Sequence, residues 1–260
     1  MSRNFEVLQR LERERAKAPF TISGVANSTA PVTVAPPFDQ QRPGLRTRPG
    51  IPTSEVEKLV QRLFLTNDGT AEKPLVVAFA SIDSGDGTTS ICSVAASTLA
   101  RDTAASVCVV DARGQNGNWA LHDCWGLQNA NGLRDALRST APITAFCAPI
   151  SANLSLLTAG SMGSENEELR HSDVLRFRFR ELRETFDYVL IDAPPLAESS
   201  QTIFLGHLAN GIVLVLRANS TRKEAIRRVV AEFEGAGVRV LGAVLNQRRF
   251  PIPDAIYTRL

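Results

Sequence analysis

The sequence predicts an α/β fold: a mostly parallel sheet with helices on both faces. Three observations carry this prediction. Short, continuously apolar runs of strand length, such as Leu75–Ala80 and Ile212–Leu216, alternate with segments of helical periodicity. A glycine-rich turn, Ser84-Gly-Asp-Gly-Thr-Thr-Ser90, links the first of these runs to a helix of small and apolar residues, Ile91 to Ala100. Two later apolar runs each end in an aspartate, Asp111 and Asp192.

Taken in order, residues 2–18 read as an amphipathic helix, within an N-terminal segment 1–18. Phe5, Leu8 and Leu11 fall on one face, with Arg and Glu on the other. Such a helix is marginal alone and calls for a partner. Residues 19–53 hold half of the fourteen prolines, interleaved with Ser, Thr, Gly and Gln, and read as a flexible linker. The globular part, 54–260, begins with a helix led by Pro52-Thr53-Ser54-Glu55 and running through Phe64, with Val56, Leu59, Val60 and Leu63 on one face. Strands are predicted at Leu75–Ala80, Val107–Val110, Leu154–Leu157, Tyr188–Ile191, Ile212–Leu216 and Val238–Leu245. Further helices are predicted at Leu133–Arg138, Glu165–Glu184, Ser199–Leu208 and Arg222–Glu234. In the basic stretch Arg170–Arg183, the interleaved Leu175, Phe177, Phe179 and Leu182 predict one buried and one solvated face.

Composition narrows the function. With 260 residues, there is room for one sizeable domain and an extension. A net charge of +2 gives no bulk electrostatic case for nucleic acid. Cys92, Cys108, Cys124 and Cys147 form no C-x-x-C pair and read as buried free thiols. His122, His171 and His207 have no metal-ligand spacing. Trp119 and Trp125 are expected to pack under the loop after Asp111. The charged N-terminus has no apolar core, so it is not read as a signal peptide, and no apolar run is long enough to span a bilayer. The expectation is a cytoplasmic protein, carried to a membrane only by a partner.

The glycine-rich turn is the main chemical signal. A turn that presents backbone N–H groups at a helix N-terminus is a ready anion site, and Gly85 and Gly87 let the backbone approach a phosphate closely. Thr89 or Ser90 offers a hydroxyl to Mg²⁺. In an open α/β sheet the ligand lies outside the carboxyl ends of the strands. Asp111, Asp192 and the 84–90 loop therefore converge on one crevice, where carboxylates hold Mg²⁺ directly or through water, or orient a nucleophile.

The order of this loop, Asp111, Leu156-Leu-Thr-Ala-Gly160, Phe186-Asp-Tyr-Val-Leu-Ile-Asp-Ala-Pro-Pro195 and Val240-Leu-Gly-Ala-Val-Leu-Asn246 resembles the bacterial tyrosine kinases of capsule and exopolysaccharide synthesis. These belong to the wider Min/Par class of phosphate-loop ATPases. The resemblance implies that Ser84, Gly85, Asp86, Gly87, Thr88, Thr89 and Ser90 hold the phosphates of ATP or ADP. It also implies Mg²⁺ held by Thr89, Asp111 and Asp192, catalytic roles for Asp111 and Asp192, and Asn246 near the adenine. In this family a cluster of tail tyrosines is phosphorylated; here Tyr257 is the one tyrosine in that tail. The implied partner is the cytoplasmic segment of a membrane polysaccharide chain-length regulator, with homo-oligomerisation on it.

Several positions depart from the family pattern. Thr88 replaces the phosphate-loop lysine, Asp83 stands where the Min/Par class often has another lysine, and Ser84 replaces the usual proline. Arg113 replaces an acid two residues after Asp111, and Glu55, Lys58 and Gln61 stand where the family tends to have a Glu-x-x-Arg-x-x-Arg oligomerisation pattern. Removing one cation from a phosphoryl-transfer site costs about a hundred- to a thousandfold in rate. The expectation is an exopolysaccharide-assembly protein with a degenerate site and impaired phosphotransfer. Arg113 reads first as a solvated loop arginine; the alternative is that it swings into the crevice and supplies the missing charge. An active tyrosine autokinase and a Min/Par-type positioning ATPase are the alternatives.

Overall fold

A computed structural model describes residues 44–46, 53–65, 75–114, 119–161 and 172–247. The expected N-terminal helix, nearly all of the linker, His171 and Tyr257 lie outside these described residues.

Seven strands form a single sheet: β1 Leu75–Ser81, β2 Val107–Asp111, β3 Cys147–Pro149, β4 Leu154–Leu157, β5 Tyr188–Asp192, β6 Gly211–Arg217 and β7 Val240–Asn246. Their spatial order is β3-β4-β2-β5-β1-β6-β7. All neighbours are parallel except β3 and β4. The apolar runs are unbroken because both faces are covered, and the period of two sorts their side chains. Val76, Ala78 and Ala80 of β1 join one core. That core includes Leu175, Phe179 and Leu182 of α4 (Ser172–Thr185), Leu205 and Leu208 of α5 (Gln201–Leu208), and Val229 and Phe233 of α6 (Lys223–Gly235). Val77 and Phe79 join the other core, with Val56 and Val60 of α1 (Thr53–Val60) and Ile91, Val94, Ala95 and Leu99 of α2 (Thr88–Asp102). A five-residue helix, α3 (Leu133–Leu137), lies between β2 and β3 in the chain.

Four expectations needed adjustment. Helix α2 starts at Thr88 instead of Ile91, because the Ile91 N–H already closes on Gly87 O at 3.0 Å. Thr88, Thr89 and Ser90 therefore form the first helical turn. Strand β3 was not expected; its three residues lack a strand-length apolar run and pair antiparallel with β4 at the sheet edge. Strand β7 begins at Val240, two residues later than expected, because Val238 N–H caps the preceding helix through Phe233 O at 2.8 Å. In α4 the alternating Arg-Phe pattern does not match the 3.6-residue period. Leu175, Phe179 and Leu182 are buried as expected, but Phe177 is 52% exposed and Arg178 is 2% exposed.

Trp125 is buried in the core beside α2, and Trp119 packs against it. All four cysteines are free thiols. Among the described residues, no helix is long and apolar enough to cross a membrane.

Candidate functional site

Parallel strands end together, so the topology places the carboxyl ends of β1, β5 and β2 side by side. Asp111 and Asp192 are register partners across β2 and β5. The turn from β1 enters α2 at the same end. Gly85 and Gly87 have φ values of +86° and +94°, a region that an L side chain enters only at a cost. A Cβ on Gly87 would also lie 2.1 Å from Asn246 Nδ2. Gly87→Ala is therefore expected to destabilise the protein by about 2 kcal/mol, through the left-handed backbone and the displaced Asn246. A urea titration with unchanged slope and a lower midpoint checks this.

The described site is a set of short polar contacts. Thr89 Oγ1 donates to Asp192 Oδ2 at 2.7 Å. Asp111 Oδ1 accepts from the backbone N–H groups of Arg113 and Gly114, at 3.1 and 3.0 Å. The segment after Asp192 is pinned beside β1: Ala193 N–H donates to Phe79 O at 2.9 Å and Leu196 N–H to Ser81 O at 3.0 Å. Thr202 Oγ1 donates to Pro194 O at 2.7 Å. Arg113 Nη2 reaches across to Ser84 Oγ at 2.8 Å, so this guanidinium touches the glycine-rich loop. Asn246, at the end of β7, donates from Nδ2 to Asp86 O at 2.8 Å.

Two residues that the sequence reading passed over also hold the loop. Arg217 Nη2 donates to Gly85 O at 2.7 Å, and its Nε lies 3.7 Å from Asp86 Oδ1. Gln247 Nε2 donates to the same Gly85 carbonyl at 2.9 Å. A signal for Arg217 was present: it ends the apolar run 212–216, as Asp111 and Asp192 end theirs. Gln247 carried none, because its role follows from the pairing of β7 with β6.

Electrostatics single out the two strand-end carboxylates. Burial pushes Asp192 up from 3.8 to about 7, and the neighbouring Asp111 charge adds to the rise. The Thr89 hydrogen bond and Arg113 oppose it. Asp111 and Asp86 are raised as well, chiefly by burial. Asp111 Oδ2, Asp192 Oδ1, Asp86 Oδ2 and Thr88 Oγ1 are all buried without a hydrogen-bond partner among the described residues. Such orphaned oxygens are costly, and they suit a hard divalent cation with its water shell. No group of three or more His, Cys, Asp or Glu fit for a metal occurs among the described residues. Mg²⁺ does not require one, since it binds through one or two carboxylates together with water and phosphate. The residues present therefore fit Mg²⁺.

Comparison with known proteins follows the same lines. Residues 75–228, more than half of the chain, match the family described as cellulose biosynthesis protein BcsQ. The tyrosine-protein kinase YwqD of Bacillus subtilis (strain 168) is 27% identical over 130 residues, covering 50% of this chain and 55% of that protein. The putative tyrosine-protein kinase CapB of Staphylococcus aureus is 33% identical over 95 residues, or 36% of this chain and 42% of the relative. The tyrosine-protein kinase wzc of Salmonella typhi is 28% identical over 177 residues, covering 66% of this chain but 24% of the relative. The chain thus spans about half or less of these relatives. The kinase domain of the Escherichia coli tyrosine kinase ETK superposes with a TM-score of 0.63 at 21% identity, covering 80% of this chain and 86% of that one. The MinC:MinD cell division complex of Aquifex aeolicus gives 0.57 at 20% identity, covering 71% and 72%. These superpositions establish a phosphate-loop ATPase fold of the MinD type, as the sequence predicted. The resemblance to bacterial tyrosine kinases is likewise borne out at the level of homology.

Proposed function

The chain belongs to the cellulose biosynthesis protein BcsQ family, and from that premise we propose that it is a nucleotide-binding accessory protein of bacterial exopolysaccharide assembly with impaired phosphotransfer. In this reading it works at the cytoplasmic side of the membrane. It docks as an oligomer on the cytoplasmic segment of a membrane polysaccharide chain-length regulator. Its nucleotide acts on assembly more than it feeds tyrosine phosphorylation.

The observation that carries this reading is the contrast inside one loop. The Mg²⁺-type half of the site is assembled: Thr89 is bonded to Asp192, with Asp111 in register beside it. The cationic half is altered, because a buried Thr88 occupies the lysine position. Mg²⁺ would be held by Thr89, Asp111 and Asp192. When bound, it would supply positive charge to the β and γ phosphate oxygens. The chain's own groups do the rest. The backbone N–H groups entering α2 bind phosphate, and Arg217, Gln247 and Asn246 fix the loop through the Gly85 and Asp86 carbonyls. Arg113 would stand in for the lysine, a role supported by its hydrogen bond to Ser84 in the loop.

Calorimetric titration with ADP and ATP, with and without Mg²⁺, tests this on the wild type, Thr88→Lys and Arg113→Ala. Mg²⁺-dependent binding by the wild type, weakened about tenfold in Arg113→Ala, is expected. Unchanged affinity in Arg113→Ala would remove Arg113 from the role. Binding by Thr88→Lys alone would reduce the native protein to a structural subunit with a disarmed pocket. Strong tyrosine phosphorylation of the wild type on an immunoblot would instead mark an active kinase and overturn the impaired-phosphotransfer reading.

A further inference from the structure

Arg134 lies in the first turn of α3, where its backbone N–H donates to Ala159 O at 3.1 Å. Its side chain runs back over the turn that leaves β2. A Cβ on Gly114 would meet Arg134 Nη2 at 2.5 Å, and Cζ and Nη1 at 3.2 Å. Gly114 is buried, has a φ of +76°, and donates its N–H to Asp111 Oδ1. The guanidinium therefore rests on the turn that fixes a strand-end carboxylate of the site.

Arg134 Nη1 is buried and has no hydrogen-bond partner among the described residues. Arg113 Nε, in that same turn, is buried and unpartnered too. A guanidinium offers five N–H donors in a fixed fork, and a buried donor left unpaired costs its full desolvation. Two such nitrogens, one from each guanidinium, at the turn that fixes Asp111 leave unpaired N–H donors suited to a phosphoryl oxyanion. The fork does not depend on the lysine position, so it escapes the substitution at Thr88.

We propose that Arg134, together with Arg113, forms an oxyanion subsite that takes a phosphoryl group beside the glycine-rich loop, which makes the site selective for a nucleoside triphosphate over a diphosphate. The proposal rests on the nucleotide-site reading above. Free inorganic phosphate shares the chemistry, and the test separates the two sources.

The experiment is calorimetric titration of the full chain and of Arg134→Gln with ADP, ATP and inorganic phosphate, in the presence of Mg²⁺. Arg134→Gln is expected to weaken ATP about tenfold and ADP by less than about twofold. A loss of phosphate binding with the ATP and ADP affinities both unchanged would also uphold the subsite and assign it to free phosphate. If the wild type binds neither nucleotide, the nucleotide reading fails, and the subsite is judged on inorganic phosphate alone. Binding weakened at least about tenfold by Arg134→Gln then upholds it. No change in any ligand, an equal loss for ADP and ATP, or no phosphate binding in a wild type that also binds no nucleotide overturns the proposal. Should Arg134→Gln fail to fold, Arg134→Lys carries the same test, since it keeps the charge and removes the fork.

Discussion

Without divalent cation, the protein is expected to lose stability as pH rises from about 4 to about 7, and Asp192→Asn is expected to remove most of that slope. The sign follows from the direction of the shift. Asp192 titrates at 3.8 when unperturbed and at about 7 in the fold, where burial and then the Asp111 charge disfavour its ionised form. Between these values the folded state holds a proton that the unfolded state has released. The stabilising effect of that proton is complete below the unfolded value and gone once pH has passed the folded value. A shift of this size corresponds to at most about 4 kcal/mol, reached in full only if Asp192 titrates alone. Asp111 and Asp86 are raised too, so both steepen the wild-type slope in the same direction. Urea titrations at several pH values across this window check the result. A wild-type stability that rises over the window, or an Asp192→Asn profile parallel to the wild type, would refute the assignment. Mg²⁺ added near pH 8 should restore stability to the wild type and not to Asp192→Asn, because a cation at the two carboxylates does what the proton does at low pH.

Arg178→Met is expected to be the most destabilising single substitution away from the crevice, at about 3 kcal/mol. Arg178 is 2% exposed and acts as a bracket between α4 and the end of α3. Nε and Nη2 both donate to Ala136 O, at 3.0 and 2.7 Å, and Nη1 donates to Ala141 O at 2.9 Å. Nη2 also bonds Ser139 O, and Nη1 pairs with Glu181 Oε2 at 2.6 Å. Methionine fills a similar volume and leaves those carbonyls and the Glu181 carboxylate without their donor. The effect should reach the site, because α3 carries Arg134 and thereby the guanidinium on Gly114. Arg178→Lys should recover only part of the loss, since one ammonium cannot reproduce the fork. A urea midpoint for Arg178→Met within about 0.5 kcal/mol of the wild type would show that the bracket contributes nothing.

Much of the architecture was legible in the sequence because each signal was local. The apolar runs at 75–80, 107–110, 154–157, 188–191 and 212–216 match β1, β2, β4, β5 and β6 to within a residue at each end. A strand buried on both faces leaves such a run, and nothing outside the run is needed to see it. Asp111 and Asp192 were legible for the same reason, as acids at the ends of runs. The edge strand β3 was not. Three residues ending in Pro149 carry no pattern, and only the pairing with β4 makes them a strand. Arg178 and Phe177 were misplaced because alternation in sequence is not alternation around a helix; 100° per residue put the arginine inside and the phenylalanine outside.

By itself the sequence determined the class of fold, the strand-end acids and the threonine at the lysine position. These depend on residue type and on spacing along the chain. The tertiary structure decided which groups meet. Arg113 bonds Ser84 from 29 positions away, Arg217 reaches Gly85 across 132, and Asn246 reaches Asp86 across 160. Such contacts arise when parallel strands deliver their carboxyl ends to one edge of the sheet. They leave no periodic trace in the chain, because each is a single polar atom placed by packing that occurs elsewhere.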